Sequence, residues 1–252
     1  MGTSAKRNRG GTKTGAGAGT GAGSGKINSV ADATNLQELA DFMNDKHNVK
    51  LDIGSLSNIP LENVKMAAEA IVQLRDEFPG AADYFHELIG DDSSANAFAY
   101  AKYNGTIAIN PKKYVTVQEI NSRYDANVGS GFHPAGTKAF HIVTHEGGHI
   151  MERALIDKFI NEPGILGAFA KAEAWNRHSV ASKVISEAAR GAKKLPGGKG
   201  KKNAQLISEV SGYANKNRSE TLAECVADYV ANGKNAKPLS IATWSILKRE
   251  LG

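Results

Sequence analysis

Hydrophobic positions recur along most of the chain at the three- and four-residue intervals that favour helices. In the first such stretch, Leu36, Leu39 and Met43 share one face, and Thr34 or Asn35 is the predicted N-cap. Pro60 is predicted to occupy the first turn of a second helix. The helices predicted in this way cover residues 31–48, 60–78, 81–88, 116–124, 137–158, 165–175, 180–189 and 219–229.

A strand pattern is concentrated at residues 97–110, where two alternating runs flank Asn104-Gly105. An Asn-Gly pair between such runs predicts a hairpin in which both central turn residues adopt positive φ angles. One strand could pair with an extended peptide substrate, or the hairpin could serve only to cover the next helix. The pattern as a whole predicts a helix-rich α+β fold with a small sheet beside the helix at 137–158.

Composition separates a tail from a folded part. Residues 1–26 are mostly Gly, Ala, Ser, Thr and Lys and carry five basic residues and no acid, which equals the net charge of +5 of the whole chain. We predict a disordered basic tail over 1–26, acting either as a weak nucleic-acid contact through phosphate neutralisation or as a linker. One domain is predicted over 27–252. Within it, the five lysines and four glycines of 191–202 predict a flexible loop.

Three bulk features exclude other classes of protein. No apolar run approaches the roughly 18 residues that span a bilayer, so no membrane partner is expected. The basic N-terminus lacks the apolar segment of a secretory signal, so export by a signal peptide is not expected. Cys225 is the single cysteine, which excludes an internal disulfide and predicts a small buried residue.

The chemistry-bearing motif is His145-Glu146-Gly147-Gly148-His149, an HExxH pentapeptide within the helix predicted at 137–158. Residues four apart on a helix project from the same face, so both imidazoles can bind one Zn²⁺. Glu146 is then placed to take a proton from a zinc-bound water. The adjacent glycines predict that another group, such as the hairpin or the substrate backbone, packs closely there.

Two histidines are too few for a tight zinc site, so the motif predicts a third ligand. Glu220, Glu224 and Asp228 fall on one face of the helix predicted at 219–229, with Ser219 as its N-cap. A solvated acidic face is the alternative interpretation of that stripe. His141, one turn before the motif, is predicted to be a neighbour of the site and not a ligand.

The downstream segment resembles a known family. Tyr213, Glu220 seven residues later and then Glu224 are similar to the second active-site segment of the catalytic domain of anthrax lethal factor, a zincin-type metallopeptidase. Related domains occur in polymorphic toxins and phage head-associated proteins. Gly148 and Ile150 match the family's HExGH pattern, and residues 132–137 also look like the phage-associated members.

The resemblance implies zinc-dependent peptide hydrolysis on a zincin-like fold. It implies Zn²⁺ held by His145, His149 and Glu220, with Glu146 as general base. Tyr213 would donate its hydroxyl to the developing oxyanion, and Glu224 would orient a ligand histidine.

We therefore expect a phage-associated zinc metalloendopeptidase that acts on a protein or peptide, in the host cytoplasm or in the virion. One alternative is a structural or nucleic-acid-associated phage particle protein with a structural or inactive zinc site. A toxin-type effector peptidase is the other.

Overall fold

The computed structural model describes residues 27–252, so the prediction for the tail at 1–26 lies outside the described residues. The helix-rich α+β class is confirmed for the described part of the chain. Its helices are α1 (Leu36–His47), α2 (Ile53–Leu56), α3 (Leu61–Glu77), α4 (Pro79–Ala82), α5 (Val117–Gly129), α6 (His141–Phe159), α7 (Gly164–Asn176), α8 (Ser179–Ala192), α9 (Asn203–Ser208), α10 (Arg218–Asn232) and α11 (Pro238–Leu251). Its strands are β1 (Lys50–Leu51), β2 (Glu87–Gly90), β3 (Ala99–Ala101) and β4 (Thr106–Ile109).

The ends of the predicted helices follow from capping chemistry. Asn35 caps α1 by accepting a hydrogen bond from the backbone N–H of Glu38 at 3.0 Å. Pro60 immediately precedes α3 and does not belong to its first turn, so that prediction is off by one residue. The cap predicted at Ser219 is wrong, because Asn217 caps α10 by accepting from Glu220 N–H at 2.9 Å.

The sheet is larger than the predicted hairpin. Its strand order is β1-β2-β4-β3, with β1 and β4 parallel to β2 and with β3 antiparallel to β4. The helix predicted at 81–88 is therefore wrong over most of its length, since α4 ends at Ala82 and β2 begins at Glu87. So short a run has no clear period of its own, and pairing with two neighbouring strands decides its conformation.

The predicted hairpin is present, but its turn is one residue longer than expected. Lys102 N–H donates to Thr106 O at 2.8 Å, and Gly105 N–H donates to Lys102 O at 3.0 Å. Gly105 adopts φ +87°, whereas Asn104 does not have a positive φ. This is the three-residue connection in which a left-handed glycine closes a turn.

Helix α6 is the centre of the fold, where it packs against α3, α10 and β3. Its two glycines permit the closest approaches. A Cβ on Gly147 would lie 2.1 Å from Leu74 Cδ1 of α3, and one on Gly148 would lie 2.6 Å from Ala223 Cα of α10. Close packing was predicted at both positions, but helices supply the contacts and the hairpin does not.

The buried apolar side chains of the described residues form one cluster that extends from α1 to α11. Residues 193–200 form a succession of turns between α8 and α9. The flexibility predicted for 191–202 stays a prediction. Within residues 27–252, no helix combines the length and apolarity needed to cross a membrane.

Candidate metal centre

The structure brings together the three predicted ligands, although about seventy residues separate them in the chain. His145 and His149 project from α6 toward Glu220, which lies in the first turn of α10. One ligand atom of each residue lies within 4.8 Å of the other two. Oε2 of Glu220 is 3.1 Å from Nε2 of His145 and 3.4 Å from Nε2 of His149.

These separations fit the donor set of a tetrahedral zinc ion. Two ligand atoms at about 2.0 Å from such an ion are about 3.3 Å apart. Two imidazole nitrogens and a carboxylate oxygen are also a common combination in catalytic zinc sites. The same 3.1 Å separation suits a hydrogen bond between protonated His145 and Glu220, so a proton and a metal ion are alternative occupants of this space.

The electrostatics of the cluster favour a positive charge. Burial would lower the pKa of His145, but the hydrogen bonds and charges of Glu220 and Glu224 raise that pKa to about 10. Burial would raise the pKa of each carboxyl, but contacts with histidines lower the pKa of Glu224 to about 2 and hold that of Glu220 far below its ordinary value. Two carboxylates among imidazoles stabilise a proton or a metal cation.

Glu224 lies behind His145, as predicted for an orienting acid. Its Oε1 is 2.8 Å from Nδ1 of His145, although the line between the two atoms departs from the N–H direction of a straight hydrogen bond. His133 donates to Oε1 of Glu224 from Nδ1 at 3.1 Å, and Ser211 donates to Oε2 at 2.7 Å. A carboxylate beside Nδ1 favours the tautomer that leaves Nε2 free to bind metal.

His149 has its own orienting chain, which the sequence did not reveal. The hydroxyl of Ser219 donates to Oε2 of Glu152, so the oxygen of Ser219 accepts from Nδ1 of His149 at 2.8 Å. Glu152 is fully buried, and this burial raises the pKa of its carboxyl group above the ordinary value. The hydrogen bond from Ser219 offsets only part of that rise. Nδ1 of His149 therefore carries the hydrogen, and Nε2 presents its lone pair toward Glu220.

Removal of this chain is expected to weaken zinc binding. Ser219→Ala and Glu152→Gln should each raise the zinc dissociation constant about 10–100-fold, because the ligand imidazole loses its orienting partner. Competition with a chromophoric chelator measures the constant. Ser240→Ala is the matched control, since this serine of α11 is also fully buried but is not one of the residues that contact His149 or Glu152. Equal affinities in parent and both variants would contradict an orienting role.

Tyr213 lies beside the cluster, in a short 3-10 turn before α10. Its hydroxyl donates to Oε1 of Glu220 at 3.0 Å, and Nζ of Lys216 donates to both of these oxygens at 2.8 Å. Burial raises the pKa of the Tyr213 hydroxyl, while Lys216 lowers it. The phenol therefore stays protonated, as a hydrogen-bond donor must.

Glu146 faces a cleft and not the orienting chains. Two adjoining cavities of about 360 and 310 Å³ open beside the cluster. Residues that line both cavities are Ser94, Ala97, Ala99, His145, Glu146 and Tyr213. The cleft thus follows β3, whose outer edge has no neighbouring strand among residues 27–252.

The remaining polar candidates lie outside the cluster. Nδ1 of His141 accepts from Lys138 N–H at 2.9 Å, in keeping with its predicted place as a neighbour. Asp228 shares the acidic stripe but accepts from Asn232 Nδ2 at 2.8 Å and from Lys237 N–H at 2.9 Å. Cys225 is fully buried, as expected, and burial raises the pKa of its thiol to about 12.

Comparison with protein-family models, curated proteins and solved structures finds no match to this chain. The resemblance to the lethal factor domain therefore rests on the short segments around His145–His149 and Tyr213–Glu224. The contacts of those residues carry the functional proposal that follows.

Proposed function

We propose that this protein is a zinc-dependent metallopeptidase that hydrolyses peptide bonds. The observation that carries the proposal is the convergence of His145, His149 and Glu220 beside the unpaired edge of β3, at separations near those of a tetrahedral zinc site. The zincin-like fold, the phage association and a location in host cytoplasm or virion belong to the same proposal, on the basis of the sequence resemblance.

The three residues fit the metal that the resemblance implies. Nε2 of each histidine is the free nitrogen, because Glu224 and Ser219 occupy the Nδ1 sides. Bound there, Zn²⁺ would act as a Lewis acid toward the scissile carbonyl and would lower the pKa of water to about 7.

Two side chains of this protein are placed to transfer protons or to stabilise charge during the reaction. Glu146 takes the proton of the water whose oxygen bonds to the carbonyl carbon, and then passes it to the leaving nitrogen as the C–N bond breaks. Tyr213 reaches the same cleft, and its hydroxyl would move from Glu220 to the oxyanion that forms on the substrate. Nζ of Lys216 lies 2.8 Å from Oε1 of Glu220 and would keep that carboxylate in an ion pair.

The cleft favours an extended polypeptide as substrate. Backbone groups on the outer edge of β3 can hydrogen-bond with an added strand, which would lie across Glu146. The larger cavity is lined by Phe98, Tyr124 and Phe132, so it suits a large apolar side chain of the substrate. An apolar or aromatic residue next to the cleaved bond is therefore the expected preference.

A structural zinc site is the alternative interpretation of the same three residues. Structural zinc is closed by four protein ligands, whereas the described residues supply three and a cleft adjoins them. This open side favours catalysis over a structural role. The toxin-type effector alternative shares the chemistry and differs only in the delivery and partners of the protein.

Metal analysis joined to a cleavage assay tests the proposal. The purified full chain should bind about one zinc per molecule and cleave a peptide library, and 1,10-phenanthroline should abolish cleavage until zinc is restored. His149→Ala should lose both metal and activity. His141→Ala, one histidine on the same helix but outside the cluster, should keep both. A folded parent chain that takes up no zinc, or that binds zinc and cleaves no peptide, would refute the proposal.

A further inference from the structure

The Lys- and Gly-rich segment at 191–202 is built into the fold and is not a simple linker. Its turns are closed by backbone hydrogen bonds of 2.9–3.1 Å between residues 191 and 198. Gly197 and Gly200 have φ angles of +77° and +79°, which other residues rarely adopt. A Cβ on Gly198 would lie 2.0 Å from the carbonyl oxygen of Ala192, so only glycine fits there. The backbone that carries the lysines between these glycines therefore adopts a defined conformation.

This segment forms one wall of two adjoining surface grooves. The grooves have volumes of about 490 and 470 Å³ and meet at Leu195 and Ile241, between the end of α8 and the start of α11. Five basic residues line them: Arg190, Lys194, Lys201, Lys234 and Lys237. Lys193, Lys199 and Lys202 are exposed on the same segment.

Little negative charge offsets these cations. Glu209 lines one groove and pairs with Lys201 at 2.6 Å, and Glu187 lines the other but pairs with Arg249 at 2.8 Å. The other seven basic side chains of the grooves and the segment form no ion pair within residues 27–252. Basic and acidic residues balance over 27–252 as a whole, so the excess is local. Like charges gathered on one part of the surface repel one another, and so these cations contribute nothing favourable to folding by themselves.

We propose that these two grooves bind the phosphodiester backbone of a nucleic acid. Cations spread along adjoining grooves match a chain of phosphates better than a single anion, which would need convergence on one point. No aromatic residue lines either groove, so the bases have no stacking platform there. Contacts with phosphates alone carry no sequence information, so binding should be independent of sequence.

A lipid surface fits this region less well. Binding to a bilayer usually combines basic residues with apolar side chains that enter the headgroup layer. The most exposed large apolar residues of the described chain, Ile165, Leu166 and Phe169, lie on α7 and line neither groove. The grooves also share no lining residue with the cleft at His145, so this binding would be a second property of the protein.

Fluorescence anisotropy with a labelled DNA of about 20 nucleotides, single-stranded and as duplex, tests the proposal on the full chain. The triple variant Lys194→Gln, Lys234→Gln, Lys237→Gln should bind at least tenfold more weakly near 0.1 M salt. The slope of log affinity against log salt should become shallower by about 3 for duplex, because each lost phosphate contact removes about 0.9. The three side chains are exposed, so the variant should fold as the parent does.

The matched control neutralises three other lysines that form no ion pair within the described residues: Lys46, Lys113 and Lys183. Because the basic tail at 1–26 is present in every protein compared, its contribution cancels in the comparison. An unchanged slope in the groove variant, or an equal loss in the control, would overturn the proposal. So would competition by poly-glutamate as strong as that of DNA of equal charge, or binding to anionic vesicles without binding to DNA.

Discussion

Replacement of Glu146 by glutamine is expected to lower kcat/KM for peptide cleavage about 10²–10⁴-fold, the usual contribution of a general acid–base group. Glutamine keeps the shape of the side chain but cannot accept the proton of the attacking water. Glu146 lines both halves of the cleft and is not one of the three grouped ligands, so the zinc content should remain at the parent level. Parallel measurements of initial rate and of bound zinc check both parts.

Glu152→Gln is the control for this prediction, because it changes the other glutamate that lies near the histidines on α6. It should weaken zinc binding through Ser219 and His149, but should cleave near the parent rate once zinc is saturating. The two variants thus separate proton transfer from metal affinity. A Glu146→Gln protein that cleaves as fast as its parent would show that another group is the base.

Much of this site could be predicted from the sequence because the motif specifies local geometry. Four-residue spacing on a helix places His145 and His149 on one face whatever the rest of the fold does. Glu220 and Tyr213 could be predicted because the spacing between them resembles that of a known active-site segment. Such arguments depend on one helix or one short segment at a time, and the residues that they named lie together in the structure.

Features that depend on contacts between distant segments were missed. The sequence indicated a cap at Ser219, but tertiary packing places its hydroxyl between His149 and Glu152. Glu152 itself carried no signal, since one acid on a helix is ordinarily solvated. His133 was noted only within a segment similar to phage proteins, and nothing in its spacing indicated contact with Glu224 ninety-one residues away.

Strands β1 and β2 were missed for a related reason. With two and four residues, they are too short to show alternation, and they are strands because neighbouring strands pair with them. The hairpin was predictable because its turn chemistry is local, although the longer connection moved the left-handed conformation to Gly105 alone. Local chemistry thus predicted most of the long helices and the place of the turn. It missed α2, α9 and α11, and the topology that connects the elements required the structure.

Gly148→Ala is expected to damage both stability and zinc binding. The new methyl group would lie 2.6 Å from Cα of Ala223, and an ordinary contact needs about 3.4 Å or more, so α6 and α10 must separate. We expect a loss of about 2 kcal/mol in the free energy of unfolding, within the 1–3 kcal/mol typical of overpacking. The helix propensity of alanine, better than that of glycine by about 1 kcal/mol, offsets only part of the strain.

The same separation of α6 and α10 should also weaken zinc binding, because α6 carries His145 and His149 while α10 carries Glu220. Zinc–ligand distances hold to within about 0.2 Å, less than the separation needed to relieve the clash. Gly147→Ala is the matched control, because its methyl group would clash with Cδ1 of Leu74 on α3, a side-chain end, and would otherwise make only ordinary contacts. Relief of that clash need not move α10, although Leu74 is buried and its displacement should cost some stability. Chemical denaturation and zinc titration should therefore show Gly148→Ala impaired in both properties, and Gly147→Ala close to the parent in zinc binding. Equal behaviour of the two variants would mean that the spacing of α6 and α10 does not set the geometry of the ligands.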